Sequence, residues 1–438
     1  MSSVFNRKKN YNIFDIIIFI PLISYIFGFY FDENSAGAGG YHGDSSWIRK
    51  NIDIFLENNL KDAILHPEFF GNRSPLIYII HKLFNPFFGN FETYRVSSFT
   101  ISLIGPILFY QLLKNKFSNE DKKILFLISS ILYLSPYYRT SAFWGLNENY
   151  GIISSILSFL FLFKINNEKK LNYINIFLLV LFSSLTVYFD LKLLIIPLLC
   201  FVNIIFSKED FKIKLFVSVI YFVFALPYLF LINMWGGLVP LATQAVNINT
   251  VTSIEDLSKI YQIHLGYSAT IIAFYLLPII FFTNKNIVKK ISEIFKTRIT
   301  YFFLILVIFY IFYNFNYFNF EKYTITQHWV GLGVIHKLVP KISQNVLYQE
   351  IITYIFFFFS FLVIIFFNHI NRINFLYLIY FFLISLMLWP LMQEYFDPII
   401  YIFAFSIFKS IHYFKKNNSI FLFTYYFIFL VIANIHYN

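Results

Sequence analysis

The residues of this chain that could do chemistry are carboxylates placed where apolar stretches of the sequence end. A carboxylate half buried at a membrane surface has a raised affinity for a proton, and it can then act as a general base toward a hydroxyl group. We single out Asp44 as the candidate base, with the adjacent acids Asp32 and Glu33 as alternates. Further acids at such positions are Glu148, Glu394 and Asp397.

Basic residues on the same side of the predicted membrane could hold a phosphate group, because a guanidinium binds phosphate through two parallel hydrogen bonds. The candidates are Arg73, Arg95, Arg139, Lys192, Lys322, His328 and Lys337. The predicted substrate-binding set takes four of these cations and three acids: Arg73, Arg139, Lys192 and His328 with Glu148, Glu394 and Asp397.

Plainer interpretations of the same residues stay open. Asp44 could have no role beyond capping a helix. Asp32 and Glu33 could be charged loop residues that are exposed to solvent. Glu148 and Arg139 could simply pair with each other.

No metal or cofactor is predicted. His328 and His336 are eight residues apart, which is not the spacing of a zinc site. The single cysteine, Cys200, cannot form an internal disulfide or a cysteine-rich metal site. The sequence also lacks a glycine-rich phosphate loop.

The elements that must position these residues are membrane helices. Of the 438 residues, 58% are hydrophobic and only 13% are charged, with 61 Phe and 33 Tyr. A soluble domain is about a quarter charged, so this surface is suited to lipid. We expect an all-helical polytopic membrane protein, because isolated strands cannot satisfy their backbone groups in lipid.

About thirteen apolar runs are long enough to be counted as spans. They lie near 12–31, 92–113, 124–140, 148–164, 172–188, 190–206, 215–233, 261–283, 299–318, 348–367, 375–391, 396–413 and 418–436. Asp190 and Lys192 interrupt the stretch 172–206 and predict a tight turn there. The whole chain 1–438 is interpreted as one integral membrane domain.

The distribution of charge predicts the orientation. Most of the 34 Lys and Arg residues fall into the N-terminal cluster and every second connection, which places those segments in the cytoplasm. The net charge of +11 is therefore a topology signal and does not indicate a nucleic-acid partner. The candidate carboxylates then lie on the non-cytoplasmic side. We expect a multi-pass protein of a bacterial inner membrane with a cytoplasmic N-terminus.

The non-cytoplasmic side also holds the three long connections, 32–91, 234–260 and 319–347. In the first, apolar residues from Trp47 to Leu56 recur at helical spacing and charged residues occupy the other face, which predicts an amphipathic surface helix. The run Asp44-Ser45-Ser46 is a plausible N-cap for it. A second such helix is expected from Leu76 to Phe84.

This arrangement resembles the GT-C glycosyltransferases. The stretch Gly43 to Asn59 is similar to their catalytic loop, and Asn72 to Tyr78 to the segment that leads into their second surface helix. Leu134 to Arg139, followed by Asn147-Glu148, looks like their second outer loop. The segments Asn233 to Pro240 and Gln393 to Pro398 are similar to the dolichyl-phosphate-glucose α-1,2-glucosyltransferase type within that superfamily.

The resemblance implies an enzyme that transfers a sugar, with inversion, from a polyprenyl-phosphate donor to a hydroxyl of a glycan, lipid or protein acceptor. Asp44 would be the base, although many members carry two adjacent acids there, and in this chain the Asp-Glu pair is Asp32-Glu33. Two alternatives stay open. One is a lipid-linked oligosaccharide ligase or polymerase, favoured by the histidines of 319–347, and the other is a multi-span transporter or flippase.

Overall fold

The computed structural model describes residues 13–36, 40, 43–71, 74–167, 172–207, 210–237, 239–244, 262–283, 286–321, 332–370, 372–387 and 391–437. Within these residues the secondary structure is helical and no strand occurs. The predicted all-helical fold is confirmed for this part of the chain.

The first half of the described chain carries thirteen α-helices up to residue 235. They are α1 Ile13–Ile17, α2 Ile20–Tyr30, α3 Asp44–Glu57, α4 Leu60–Ile64, α5 Leu76–Phe84, α6 Phe91–Ser102, α7 Ile104–Lys116, α8 Lys122–Ser130, α9 Pro136–Trp144, α10 Glu148–Asn167, α11 Tyr173–Phe189, α12 Ile195–Ile205 and α13 Phe211–Trp235.

The second half of the described chain carries eight further α-helices. They are α14 Ile263–Leu276, α15 Ile287–Ile294, α16 Arg298–Tyr317, α17 Gly333–Ile342, α18 Val346–Ile370, α19 Arg372–Met387, α20 Ile399–Ser406 and α21 Lys416–Tyr437. Short 3₁₀ turns lie at Ile131–Leu134, Leu191–Leu193, Leu277–Phe282 and Gln393–Tyr395.

Seven helical segments of the described chain are long and apolar enough to cross a membrane. They are Phe91–Lys116, Glu148–Asn167, Phe211–Trp235, Ile263–Phe282, Arg298–Tyr317, Val346–His369 and Lys416–Tyr437. Four shorter apolar segments accompany them. The multi-pass membrane character is thus supported, while the number thirteen stays a prediction.

Burial separates central helices from peripheral ones. The most apolar windows of α10 and of the α14 segment are 67% and 72% buried, whereas those of α13 and α16 are only 11% and 17% buried. Central α10 packs against α7 and α11, and α14 packs against α18 and α19. The exposed apolar surfaces of α13 and α16 are suited to lipid.

Both predicted amphipathic helices of the first connection are present. Helix α3 buries Ile48, Ile52 and Phe55 and exposes Arg49 and Asp53, and it packs on α5. Helix α5 has the bounds expected from the sequence, Leu76 to Phe84. The hydrophobic repeat predicted both helices, because each has one apolar face that must be buried.

Two predicted spans are wrong as continuous helices. The run 124–140 is broken at Ser135, where the backbone is extended and the side chain accepts a hydrogen bond from the amide of Tyr138. Pro136 explains the break, since a residue before proline avoids the helical conformation. The run 396–413 holds only α20, whose eight residues span about 12 Å.

The turn predicted at Asp190 and Lys192 is present between α11 and α12. The carboxylate of Asp190 accepts a hydrogen bond from the amide of Lys192 at 3.1 Å, which closes the turn. The backbone of Asp190 is extended, and the chain then enters a 3₁₀ turn. Of the other long connections, residues 245–261 and 322–331 lie outside the described residues.

Candidate functional site

Charged side chains gather where α2 ends, α9 and α10 begin, and α11 turns into α12. The segment 391–398, which joins α19 and α20, reaches the same region. We call this part of the bundle the acidic end, because most of its ionisable groups are carboxylates. It contains Asp32, Glu33, Arg139, Glu148, Asp190, Lys192, Glu394 and Asp397.

Arg139 and Glu33 form a buried ion pair that joins α9 to the end of α2. The Nε of Arg139 donates to Oε1 of Glu33 at 2.7 Å, and a second guanidinium nitrogen donates to Oε2. The remaining N–H groups donate to the carbonyl oxygens of Ser24 and Tyr133, each at 2.9 Å. Only 1% of the Arg139 side chain is exposed. Because its N–H groups are hydrogen-bonded within the protein, the guanidinium of Arg139 stabilises the fold.

Arg95 binds Asp32, which is the other alternate base. One of its nitrogens donates to Asp32 at 2.7 Å and another to Glu92 at 3.0 Å. Its Nε donates to the carbonyl of Phe143, and the guanidinium lies over the ring of Trp144. Both alternate bases, Asp32 and Glu33, are therefore engaged by arginines.

Lys192 lies among three carboxylates. Its ammonium nitrogen is 3.6 Å from Glu394, 3.9 Å from Glu148 and 3.9 Å from Asp190. The hydroxyl of Tyr137 donates to the carboxylate of Glu148. Among the described residues, this cluster has three carboxylates and one ammonium group. It suits hydroxyl groups or a cation better than it suits a phosphate.

Asp397 lies beside this cluster and closes the N-terminus of α9. Its Oδ2 accepts a hydrogen bond from the amide of Tyr137 at 3.2 Å, and the side chain is buried. An anion is favourable at a helix N-terminus, where the backbone amides carry partial positive charge. Asp397 therefore links the late segment 391–398 to the early helix α9.

Several buried polar atoms near the start of α10 have no hydrogen-bond partner among the described residues. They are Oγ1 of Thr140, both side-chain polar atoms of Asn149, and Oδ1 of Asp397. Leaving such groups unsatisfied costs about 1–3 kcal/mol each. Water or a polar ligand that reached them would recover that energy, so these atoms are candidates for contact with a polar ligand.

Asp44 has different surroundings. It is the first residue of α3, it is exposed, and no described cation forms an ion pair with it. The predicted cap is wrong in detail, because Gly43 occupies the N-cap position and no side chain caps the helix. The neighbours Tyr41 and His42 lie outside the described residues.

The structure thus brings together Glu148, Lys192, Glu394 and Asp397, and does not place Asp44 among them. Arg139 and Glu148 do not pair with each other, since each has another partner. Three further predicted ligands, Arg73, Lys322 and His328, lie outside the described residues. Within the described chain no group of three His, Cys, Asp or Glu residues is arranged to hold a metal ion.

Sequence reasoning missed Asp190 and Tyr137 as members of the cluster. The motif Asp-Leu-Lys at 190–192, inside an otherwise apolar run, was the available signal for Asp190, because charges in such a stretch tend to be paired. No local signal pointed to Tyr137. It reaches Glu148 because the break at Ser135 turns α9 back toward α10.

The burial of Arg139 predicts that it stabilises the protein. Arg139→Ala should lower the free energy of unfolding by about 3–5 kcal/mol, because it leaves Glu33 charged and unpaired in an apolar setting. Thermal unfolding of the purified protein, followed by tryptophan fluorescence, measures this. Arg49→Ala is the matched control, since Arg49 is exposed and only 3.8 Å from Glu92, and should cost about 0–1 kcal/mol. Equal losses in the two variants would refute the structural role.

No protein-family model, no curated protein and no solved structure matches this chain.

Proposed function

We propose that this protein is a membrane glycosyltransferase of the GT-C type. It would move a sugar from a polyprenyl-phosphate donor to an acceptor hydroxyl on the non-cytoplasmic face, with inversion. One observation carries the proposal: the carboxylate of Asp44, at the start of an amphipathic helix after the first apolar helices, is exposed and in no ion pair with a described cation. The alternates Asp32 and Glu33 are held by arginines. A general base must keep an oxygen available for the incoming proton.

In the proposed reaction, Asp44 takes the proton of the acceptor hydroxyl. The hydroxyl oxygen then attacks the anomeric carbon of the donor sugar and forms the new glycosidic bond. The bond from that carbon to the phosphate oxygen breaks, and its electron pair leaves with polyprenyl phosphate. Neither a metal nor a cofactor is part of this proposal.

The acidic end would bind sugar hydroxyls. The carboxylates of Glu148, Glu394 and Asp397 can accept hydrogen bonds from hydroxyl groups, and Asn149 can both donate and accept. Lys192 would keep the carboxylates together by offsetting their charge. This assignment changes the role of Lys192 from the phosphate ligand expected from sequence, because its ammonium already lies near three carboxylates.

The apolar helices would hold the isoprenoid tail of the donor. The exposed faces of α13 and α16 leave ample apolar surface for such a chain, and each methylene group transferred from water contributes about 0.8 kcal/mol. In this proposal the four shorter apolar segments, among them Phe14–Tyr30 and Tyr173–Phe189, also cross the membrane, which with the seven long segments gives eleven spans within the described residues.

The orientation is part of the proposal, with the acidic end outside and the N-terminus in the cytoplasm. Because Cys200 is the only cysteine and is buried, a Cys200→Ser background allows single cysteines to be labelled. A membrane-impermeant maleimide should label Asp53→Cys in intact cells and Lys289→Cys only after lysis. Labelling in the reverse order would contradict the orientation.

A transporter or flippase for a polar or lipid-linked solute is the second candidate. The observation that favours it is the lysine-centred cluster at breaks between helices, since transporters often build substrate sites where helices are interrupted. A transporter moves an unchanged solute, whereas the proposed enzyme forms a new glycosidic bond. Product analysis therefore separates the two.

Asp44→Asn should abolish sugar transfer, because the amide cannot accept the proton. A loss of the order of 100-fold or more is expected for removal of a general base. Membranes carrying the variant would be incubated with polyprenyl-phosphate sugars, and glycosylated products measured by mass spectrometry. Asp53→Asn is the matched control, an exposed acid on the same helix, and should keep full activity.

Full activity in Asp44→Asn, with normal expression and insertion, would rule out Asp44 as the base. The double variant Asp32→Asn with Glu33→Gln would then be compared with the double variant Arg95→Gln with Arg139→Gln, which disturbs the ion pairs of both acids without removing either acid.

A further inference from the structure

A cavity of about 750 Å³ lies at the opposite end of the bundle from the acidic end. It opens where α7 ends, α8 begins and α10 ends. Four lysines line it, and Glu120 is the one acid among its described lining residues. We call it the lysine pocket.

Three of the four lysines are available to a ligand. Lys114, Lys122 and Lys164 are exposed, and none forms an ion pair within the described chain. Lys116 is different, because its ammonium donates to carbonyl oxygens at the end of α20 at 2.8–3.0 Å. Lys116 therefore fixes the wall of the pocket, and the other three lysines are exposed to solvent.

Glu120 can offset only one of the positive charges that line the pocket. It lies in the connection between α7 and α8, and no described lysine pairs with it. Burial raises the pKa of its carboxyl above the ordinary value. The pocket is consequently a concave surface with excess positive charge.

The pocket also has an apolar part. Phe117, Leu125 and Phe163 line it together with the lysines. Helices α7 and α10 belong to segments that are long and apolar enough to cross a membrane, so the pocket lies at the end of membrane helices. Basic pockets between such helices are suited to the head groups of anionic lipids.

We propose that the lysine pocket binds the phosphate of an anionic phospholipid, with the lipid head group held by Lys114, Lys122 and Lys164 and the start of its acyl chains against Phe117 and Phe163. The single phosphate of phosphatidylglycerol suits three ammonium groups carried by three helices that line one pocket. Such a site would anchor the end of the bundle that carries the lysine pocket to one leaflet of the membrane. It does not depend on the proposed glycosyl transfer.

The test compares lipids on the purified full-length protein. Native mass spectrometry from neutral detergent would measure binding of phosphatidylglycerol and of phosphatidylcholine to the wild-type chain and to the triple variant Lys114→Gln/Lys122→Gln/Lys164→Gln. Each lysine near an anionic lipid contributes about 1 kcal/mol, so the triple variant should bind phosphatidylglycerol more weakly by the order of 100-fold. Phosphatidylcholine binding should be unchanged.

The matched control removes the same charge elsewhere. Lys212→Gln/Lys289→Gln/Lys296→Gln replaces three exposed lysines outside the pocket and should leave phosphatidylglycerol binding unchanged. Equal weakening in both triple variants would show a diffuse charge effect and overturn the pocket. Undiminished binding in the pocket variant would overturn it too.

Two further arms keep the test decisive. Inorganic phosphate at matched concentration should not displace phosphatidylglycerol; full displacement would show a site for free anions and overturn the lipid assignment. If the triple variant fails to fold, the single variant Lys164→Gln is used, with folding checked by size-exclusion chromatography. It should weaken phosphatidylglycerol binding about fivefold, and no change would contradict the proposal.

Discussion

The buried pair of Arg139 and Glu33 is the interaction on which the rest of the structure depends. A guanidinium that is 1% exposed inside so apolar a bundle persists only if its charge and its N–H groups are satisfied. Glu33 and the carbonyls of Ser24 and Tyr133 satisfy them, and in doing so tie the first apolar helices to α9. Helix α9 in turn carries Tyr137, which contacts both Glu148 and Asp397. The acidic end is therefore built outward from one ion pair.

The need to satisfy buried charges also distinguishes the carboxylates that stabilise the fold from those that can take part in a reaction. Carboxylates that lie beside arginines, such as Asp32 and Glu33, have their oxygens committed to the fold. The cluster around Lys192 is intermediate, because the distances of 3.6–3.9 Å from its ammonium nitrogen to the three carboxylates are longer than charge-assisted hydrogen bonds. Asp44 is the candidate acid whose oxygens are exposed and unengaged in the described structure. This ranking of the acids is what joins the architecture to the proposed chemistry.

Local patterns in the sequence predicted the helices and turns well, but they predicted the contacts between these elements poorly. The bounds of α5 and the existence of α3 followed from hydrophobic repeats over one or two turns, and the turn at Asp190 followed from charges inside an apolar run. The break at Ser135 was missed, although Pro136 was its local signal. The pairing of Arg139 with Glu33 joins residues 106 positions apart, and nothing local selects that acid over Glu148. Such pairings depend on how helices pack, and a single sequence does not encode them in any short window.

The most direct test of the central claim is the chemical structure of lipid-linked glycans from cells with and without the gene, measured by mass spectrometry. If the protein transfers a sugar from a polyprenyl-phosphate donor, cells that lack it should accumulate a glycan that is shorter by one sugar residue, and the wild-type gene should restore the full structure. Identical glycans in both cells, or accumulation of the complete glycan without any missing residue, would contradict glycosyl transfer, and the second outcome would favour transport.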